Sequence, residues 1–475
     1  MSPTPVLAQL QEPYVASGFG ESAFQDQTTL HPVGLAAVLL LGVATLVVKR
    51  RNALLPMLVL ACFVSTAQRV VIATLDFNLV RVMVLFGFLR LMARGEYRSW
   101  RRTPVDSFVI AWAVVSLAAY SSLRGNIPAL IYQLGVTFDV IGLYVLVRCW
   151  VQDWRDLDRI TWAIAWLAIP SFVFFAIEHL TGRNFFAFLG GVSPVTMARE
   201  GRLRCQGPFL HPILAGCFWA VLLPLTACRW WRPGGGTLAV SSSLAIIGIV
   251  IFSASSTPLL VLGAVLLGGA LFKLRTFTRV LRWSLLCALI MLHLVMEQPV
   301  WHLITRINVV GGSTGFHRFR LIDAAVNRFS EWALMGTHST AHWGYFLFDV
   351  TNQYVKECVR AGFLGLVLFL CFIGLAFGRA GRLWRLARGQ RFPTAMAWAL
   401  GVSLFAHVCM FNAASISHSQ QSLLVWFLVI GTLVSLSHPK TGVARLDHPQ
   451  LKPVSTRPSG RVRHLRERTV RLTPA

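Results

Sequence analysis

Two groups of basic residues lie beside sequence features that suit anion binding. In the first group, Arg202 and Arg204 precede a Gly-Pro-Phe-Leu-His-Pro stretch that ends in His211 and Pro212. Proline fits the first turn of a helix, and the free backbone N–H groups of that turn attract anions. We therefore expect Arg204 and His211 to flank an anion site, with Arg202 as an auxiliary contact. The alternative is a cluster at the membrane surface that binds lipid phosphates.

The second group consists of His317, Arg318 and Arg320, in the first turns of a predicted amphipathic helix. Cations at a helix N-terminus oppose the macrodipole, so they do not serve the stability of the helix. Together with the backbone N–H groups, they suit a phosphate or a pyrophosphate. The alternative is that they face lipid headgroups along a helix that lies in the membrane interface.

The amphipathic helix itself is predicted from apolar residues that recur at intervals of three and four. Ser313 or Thr314 is expected to cap its start, and Gly336 to end it. The residues that mark its one apolar face are Phe319, Ile322, Val326, Phe329 and Ala333.

The composition places these groups in a membrane protein. Of the 475 residues, 55% are hydrophobic and only 13% are charged, whereas a soluble domain carries about a quarter charged residues. Long soluble enzymes, disordered proteins and disulfide scaffolds are thereby excluded. The nine cysteines show no paired Cys or His spacing, so no metal site is predicted. No nucleotide-binding or cofactor motif occurs either, and we expect no cofactor.

Apolar runs predict an all-α polytopic bundle with about 12–13 transmembrane helices. The shortest run, 53–67, is the weakest candidate among them. The predicted spans are 31–48, 53–67, 77–93, 107–122, 127–149, 159–179, 208–227, 237–253, 256–272, 281–296, 357–378, 394–412 and 420–437.

The charge distribution predicts the orientation of the bundle. Most of the 44 Lys and Arg residues fall in alternate loops and in the C-terminal segment, which the positive-inside rule assigns to the cytoplasm. The prediction is an outer N-terminal tail over 1–30, a membrane domain over 31–437 and a basic, disordered cytoplasmic tail over 438–475. The membrane domain has large outer loops at about 180–207 and 297–356. In a membrane protein, the net charge of +25 indicates first of all cytoplasmic loops. We assign the basic charge of the tail to attraction by anionic lipid of the inner leaflet, and expect the lipid bilayer and no nucleic acid as its partner.

Three motifs resemble those of the superfamily of O-antigen ligases and O-antigen or exopolysaccharide polymerases. The first is Arg204-x-x-Gly207-x-Phe209-x-His211-Pro212, which resembles an R-x-x-G-x-F-x-N-P segment. The second, over 315–336 and including Arg318, is similar to the family's large periplasmic loop. The third, Asn352-Gln353-Tyr354 followed by a Gly-Phe-Leu-Gly-Leu run, looks like the end of that loop. The resemblance covers about 200 to 370.

The resemblance implies a metal-independent glycosyltransferase of the bacterial inner membrane, with its N-terminus in the periplasm and its C-terminus in the cytoplasm. Such enzymes take a glycan from undecaprenyl pyrophosphate and pass it to another glycan or to lipid A core at the periplasmic face. Carried over by position, Arg204 and Arg318 would be catalytic by neutralising the pyrophosphate leaving group. Asn352 would position the donor or the acceptor. His211, His317, Arg202 and Arg320 would be auxiliary substrate contacts.

Three residues differ from the family pattern, and these differences leave the recognition and activation of the acceptor open. Thr351 stands where the family has a histidine, Arg360 where it has an acidic residue, and His211 where it has an asparagine. Because histidine is the usual general base for a hydroxyl, that role is left open. The residues that could replace it are His317, His338, His342 and Asp349.

The function predicted is therefore polymerisation of exopolysaccharide or O-antigen repeats, slightly favoured over O-antigen ligation. The alternative is a transporter or flippase of lipid-linked glycans. Asp139 and Glu178 fall within or at the end of predicted spans, where a carboxylate can mark a proton or ion path. They are too few and too isolated in sequence to favour a coupled transporter.

Overall fold

A computed structural model describes residues 28–306, 315–416 and 419–438. This part of the chain is an all-α, multi-pass membrane bundle. The predicted tails lie outside it, apart from residues 28–30 and 438, and so do the predicted caps Ser313 and Thr314. The helices in chain order are α1 (Pro32–Val47), α2 (Leu55–Phe63), α3 (Leu79–Arg94), α4 (Pro104–Arg124), α5 (Ile127–Trp150), α6 (Trp154–Thr181), α7 (Pro212–Ala227), α8 (Gly236–Phe252), α9 (Ser256–Ala270), α10 (Thr278–Val295), α11 (Gly315–Asn327), α12 (Phe329–Trp332), α13 (Gln353–Leu386), α14 (Arg391–Met410) and α15 (Gln420–Leu436).

Each of the thirteen predicted spans coincides with a helix, but fewer than thirteen helices are long and apolar enough to cross a membrane. Within the described ranges, six meet that requirement: α4, α5, α6, α7 with the turn that follows it, α13 and α14. A seventh results if most of α10 and the helix Val300–Arg306, which meet at 91°, form one span. The predicted number of 12–13 is therefore supported only in part.

The remaining apolar helices are short. The helices α1, α8, α9 and α15 have 15 to 17 residues and extend about 22–26 Å at 1.5 Å per residue. The hydrocarbon core of a bilayer is about 30 Å thick. Helix α2 has nine residues and cannot cross alone, so the prediction of a span at 53–67 is wrong.

Short β-hairpins occupy two of the connections. Strands β1 (Arg69–Ile72) and β2 (Leu75–Asn78) pair antiparallel, and so do β3 (Met197–Arg199) and β4 (Arg202–Arg204). The turn between β3 and β4 contains Glu200 and Gly201, both with positive φ. This second hairpin carries two of the predicted basic residues, Arg202 and Arg204.

The core of the bundle lies around α7 and α15. Every residue of α15 is buried, as are fourteen residues of α7. Helix α10 is the opposite case, because none of its described side chains is buried. Helices α7 and α15 are therefore central in the bundle, and α10 is peripheral.

A glycine break in α13 holds the second outer loop in place. Gly362 has φ 64°, and a Cβ there would lie 2.5 Å from the carbonyl oxygen of Leu334. Beyond the break, the Phe363 N–H donates to the Ala333 carbonyl at 2.8 Å. The chain that follows α11 and α12 is thereby fixed against the bundle.

Candidate functional site

The segment that carries Arg204 is fixed by backbone hydrogen bonds to a buried carboxylate. Glu178, near the end of α6, accepts from the N–H groups of Gln206 at 3.0 Å and Gly207 at 2.8 Å. Asn184 donates to the Gly207 carbonyl at 2.8 Å. Gly207 has φ 55°, and a side chain there would collide with Phe175. Glu178, which was noted as a possible part of an ion path, thus braces this loop.

Arg204 is buried without an acidic partner. Its side chain lies at the end of β4 and is 5% exposed. One guanidinium nitrogen donates to the Ser255 hydroxyl at 3.3 Å, and the other lies 3.8 Å from the Met197 sulfur. Its Nε has no hydrogen-bond partner among the described residues.

Arg318 reaches the same place from the other outer loop. It lies on α11, is 6% exposed, and donates to the Thr257 hydroxyl at 2.6 Å. Among the residues that the structure describes, neither Arg318 nor Arg204 forms an ion pair. Two buried guanidinium groups therefore contact hydroxyls that are two residues apart.

Those hydroxyls belong to the start of α9. Ser255 is the N-cap residue, and Ser256 and Thr257 form the first turn; all three are buried. The first backbone N–H groups of a helix lack partners within the helix and carry a partial positive charge. These residues are not among the contacts predicted from the sequence. The sequence does contain a signal for a helix start, because Ser-Ala-Ser-Ser-Thr-Pro before an apolar run is typical of one.

The two arginines of the site keep their positive charge. Burial lowers the pKa of Arg204, and the charge of Arg199 lowers it further. Burial also lowers the pKa of Arg318. Since arginine begins above pH 12, both stay charged at neutral pH. Two positive charges held out of water with neutral contacts are costly, and an anion between them would remove that cost.

His211 lies beside this positive region. It is the N-cap residue of α7, and its Nδ1 accepts from the Ile213 N–H at 3.1 Å. Burial, followed by the charges of Arg204 and Arg199, lowers its pKa to about 3. At neutral pH His211 is therefore an uncharged helix cap close to Arg204, which agrees with its predicted place next to the anion site.

The other predicted contacts lie further from this centre. Arg202 is exposed near the tip of the β3–β4 hairpin. The Arg320 guanidinium lies over the Phe316 ring, 5.9 Å from its centroid, and close to Gly344. Asn352 caps α13 by accepting from the Val355 N–H at 3.1 Å. Its Nδ2 donates to the Asn412 carbonyl at 3.3 Å, so its amide is engaged in the structure of the bundle.

Helix α11 forms within the predicted amphipathic segment, but part of its predicted apolar face is exposed. Val326 is 50% exposed and Phe329 is 48% exposed, whereas Phe319, Ile322 and Ala333 are half-buried. The buried residues of α11 are Gly315, Arg318, Leu321 and Ala325. The helix also ends earlier than predicted, because α11 stops at Asn327 and α12 at Trp332. Beside a membrane, an exposed apolar side chain can contact lipid, so Arg318 faces the protein together with Leu321 and Ala325.

Among the four candidate bases, His317 is the one adjacent to the arginine pair. It precedes Arg318, and its Nε2 lies 3.3 Å from the Asp349 carbonyl oxygen. Burial raises the pKa of the Asp349 carboxyl, against the opposing charges of His317 and Lys356. His342 instead contacts Glu331 at 3.0 Å, and His338 is exposed. Arg360 donates to the Gln133 side-chain oxygen at 2.8 Å.

No group of three His, Cys, Asp or Glu side chains with metal-binding geometry occurs in the described ranges. The buried carboxylate Asp139 pairs with Arg81 at 2.7 Å, so it does not act as an isolated ion site. The chain matches no protein-family model, and a search of the curated proteins finds no match.

Proposed function

We propose that this protein is a membrane glycosyltransferase that transfers a glycan from undecaprenyl pyrophosphate to an acceptor hydroxyl. One observation carries the proposal: Arg204 and Arg318, both buried and without acidic partners among the described residues, donate to hydroxyls two residues apart at the start of α9. A doubly charged diphosphate is complementary to two guanidinium groups. The orphan N–H groups of the first turn of α9 add further donors.

The proposed reaction is a substitution at the anomeric carbon of the donor sugar. The acceptor oxygen forms a bond to that carbon, and the bond from the carbon to the pyrophosphate oxygen breaks. The electron pair of the broken bond leaves with undecaprenyl pyrophosphate. Arg204 and Arg318 would stabilise the charge that develops on this leaving group, a contribution worth about 3–4 kcal/mol per well-placed donor.

The proton of the acceptor hydroxyl would pass to His317. A backbone carbonyl oxygen can only accept, so the contact with Asp349 requires a proton on His317 Nε2. In the neutral ring this leaves the lone pair on Nδ1, which is the arrangement of a general base. His317 would thereby replace the family histidine whose position is occupied by Thr351.

The reaction would take place at the periplasmic face, with lipid-linked donor and acceptor both reaching the site from the bilayer. The charge distribution of the loops supports this orientation. Of the two transfers that fit this site, polymerisation of repeat units is preferred over ligation to lipid A core. No metal ion or cofactor is part of the proposal.

The decisive experiment analyses lipid-linked glycans by mass spectrometry in a deletion strain, with and without complementation. Accumulation of undecaprenyl pyrophosphate carrying one repeat unit is expected for a polymerase. Long lipid-linked chains without a surface conjugate would indicate a ligase. An unchanged profile would contradict both.

The Arg318→Ala variant separates the enzyme from a flippase in the same strain. The enzyme variant should lose product while the donor still reaches the periplasm. A flippase variant would retain the donor at the cytoplasmic face. The matched control is Arg328→Ala, at an exposed arginine just beyond the end of the same helix, which should restore the product.

A further inference from the structure

A second candidate binding site lies at the opposite end of α9. A cavity of about 660 Å³ opens there, within the range of about 300–1,000 Å³ that is typical of ligand sites. Its lining contains no Asp or Glu. The aromatic and basic residues of that lining are Trp231, Phe272, Arg275, Trp384, Arg388 and Arg391.

The basic groups of the cavity remain able to bind an anion. The Arg388 guanidinium stacks over the Trp384 ring, 4.4 Å from its centroid, and stacking leaves the in-plane N–H donors available. Arg391 is exposed in the first turn of α14, where a cation opposes the helix dipole. Neither Arg388 nor Arg391 has an acidic partner in the described part of the chain.

Two buried polar atoms of the lining residues lack hydrogen bonds. They are the indole Nε1 of Trp384, a donor, and the side-chain Oε1 of Gln390, an acceptor; neither has a partner among the described residues. Gln390 is the N-cap residue of α14, yet its side chain makes no capping bond. Buried polar groups are normally satisfied, so an indole donor and an amide acceptor from residues of one cavity lining are complementary to a ligand with both a phosphate and a hydroxyl.

The walls of the cavity lie where a bilayer interface is expected. Trp231 is 44% exposed and its neighbour Trp230 is 60% exposed, and exposed tryptophans are typical of the headgroup level. Phe272, near the end of α9, continues this apolar surface. Basic pockets between transmembrane helices are a known setting for anionic lipid headgroups.

We infer that this cavity binds the headgroup of an anionic glycerophospholipid that carries a free hydroxyl, of the phosphatidylglycerol type. Arg388, Arg391 and the Trp384 N–H contact the phosphate, and the headgroup hydroxyl donates to Gln390. The acyl chains lie along Trp231 and Phe272. This site is separate from the arginine pair at Ser255 and Thr257, and it does not depend on the proposed function.

The test is native mass spectrometry of the full-length protein in detergent, titrated with phosphatidylglycerol, phosphatidylethanolamine or glycerol 3-phosphate. One bound phosphatidylglycerol is expected, with phosphatidylethanolamine retained about tenfold less. The double variant Arg388→Gln/Arg391→Gln should weaken retention of phosphatidylglycerol about tenfold or more. Trp384→Phe, which keeps an aromatic ring beneath Arg388 but removes the indole N–H, should weaken it several-fold.

The matched control is Arg385→Gln, because Arg385 is exposed on the same helix and lies outside the cavity lining. It should retain phosphatidylglycerol like the unmodified protein. Equal retention of the two lipids, or a double variant that behaves like the control, would overturn the inference. Glycerol 3-phosphate could bind as tightly as the lipid and lose its binding in the same variants. That result would assign the cavity to a soluble phosphate ester and overturn the inference of a lipid site.

Discussion

Buried arginines at the two ends of α6 have different partners. Near the start of α6, each buried arginine side chain pairs with a carboxylate. At the other end, Arg69 also pairs with a carboxylate, Asp76. Arg204 and Arg318 instead donate to the hydroxyls of Ser255 and Thr257 and form no ion pair with any described residue. The pairs near the start of α6 and at the adjoining helix ends are Arg90 with Glu96, Arg148 with Asp106, and Arg229 with Asp158.

The difference in partners distinguishes arginines that stabilise the fold from arginines that are available to bind a ligand. A buried ion pair is compensated within the chain, so it holds helices together at little net cost. A buried arginine without a counter-ion lowers stability, and proteins tolerate such a cost mainly at functional sites. We expect substitutions at the two ends to act in opposite directions on stability.

The largest effect on stability is expected for Arg148→Ala. Arg148 donates to Asp106 at 2.9 Å and to Ser435 at 2.7 Å, so its removal leaves a buried carboxylate uncompensated. Removing one partner of a buried pair costs about 3–5 kcal/mol. Unfolding of the purified protein in detergent measures this cost. The exposed Arg102→Ala should change stability by less than about 0.5 kcal/mol, and equal stability of the two variants would refute a structural role for the pair.

Substitution of Arg318 should lower activity without lowering stability. Arg318→Met removes an uncompensated buried charge, so the free protein should be as stable as the original or more stable. Transferase activity should nevertheless fall about 100-fold or more. Unfolding without donor and a transfer assay with lipid-linked donor give the two values. If activity falls only in proportion to the amount of folded protein, Arg318 has a structural role like that of the arginines in ion pairs.

The positive region should also make stability depend on pH through His211. Its pKa is lowered to about 3 in the folded protein, whereas an unfolded histidine binds a proton near pH 6.5. Below pH 6.5 the unfolded state therefore binds more protons, and stability falls as the pH drops toward 3. At pH 5 the loss from this residue is about 2 kcal/mol relative to neutral pH.

The His211→Asn variant isolates this contribution. Asparagine is a good N-cap residue and does not titrate, so it keeps the cap of α7 and removes the proton. Unfolding midpoints between pH 7 and pH 5 should decline less in the variant than in the original protein. Parallel declines would show that His211 is not the group responsible.

A smaller effect is expected for Thr257→Val. Thr257 accepts from Arg318 at 2.6 Å, and loss of a hydrogen bond to a charged group should lower activity about tenfold. Thr257 is a positioning residue, so kcat should fall more than KM rises, and Thr257→Ser should restore activity. Failure of serine to restore it would indicate that the methyl group, through packing, is what matters.

The smallest effect is expected for Arg202→Ala. Arg202 is exposed, although it lies only two residues from the buried Arg204 on the same strand. Its contact with a lipid-linked donor would be screened by water, so activity should fall no more than about twofold. Arg204→Ala in the same transfer assay is the comparison. Equal losses of activity in the Arg202→Ala and Arg204→Ala variants would show that the site extends to the tip of the hairpin.

The sequence alone determined where the apolar helices lie and which arginines to examine. Hydropathy is a local property, so thirteen helices fall at the thirteen predicted runs. Arg204 and Arg318 were selected because cations beside a helix start have a chemical use and oppose the dipole. Their burial agrees with that selection, while the catalytic role remains a prediction.

Tertiary structure alone decided which faces are buried and which partners meet. In water, periodic apolar residues indicate the protein interior, but at a membrane they can equally face lipid. For this reason Val326 and Phe329 are exposed while Arg318 is buried together with Leu321 and Ala325. Ser255 and Thr257 belong to the site because Arg204 and Arg318 reach the start of α9 from two different loops, across about 50 to 60 residues of sequence. Local pattern carries no information about such contacts, since they depend on how the helices pack together.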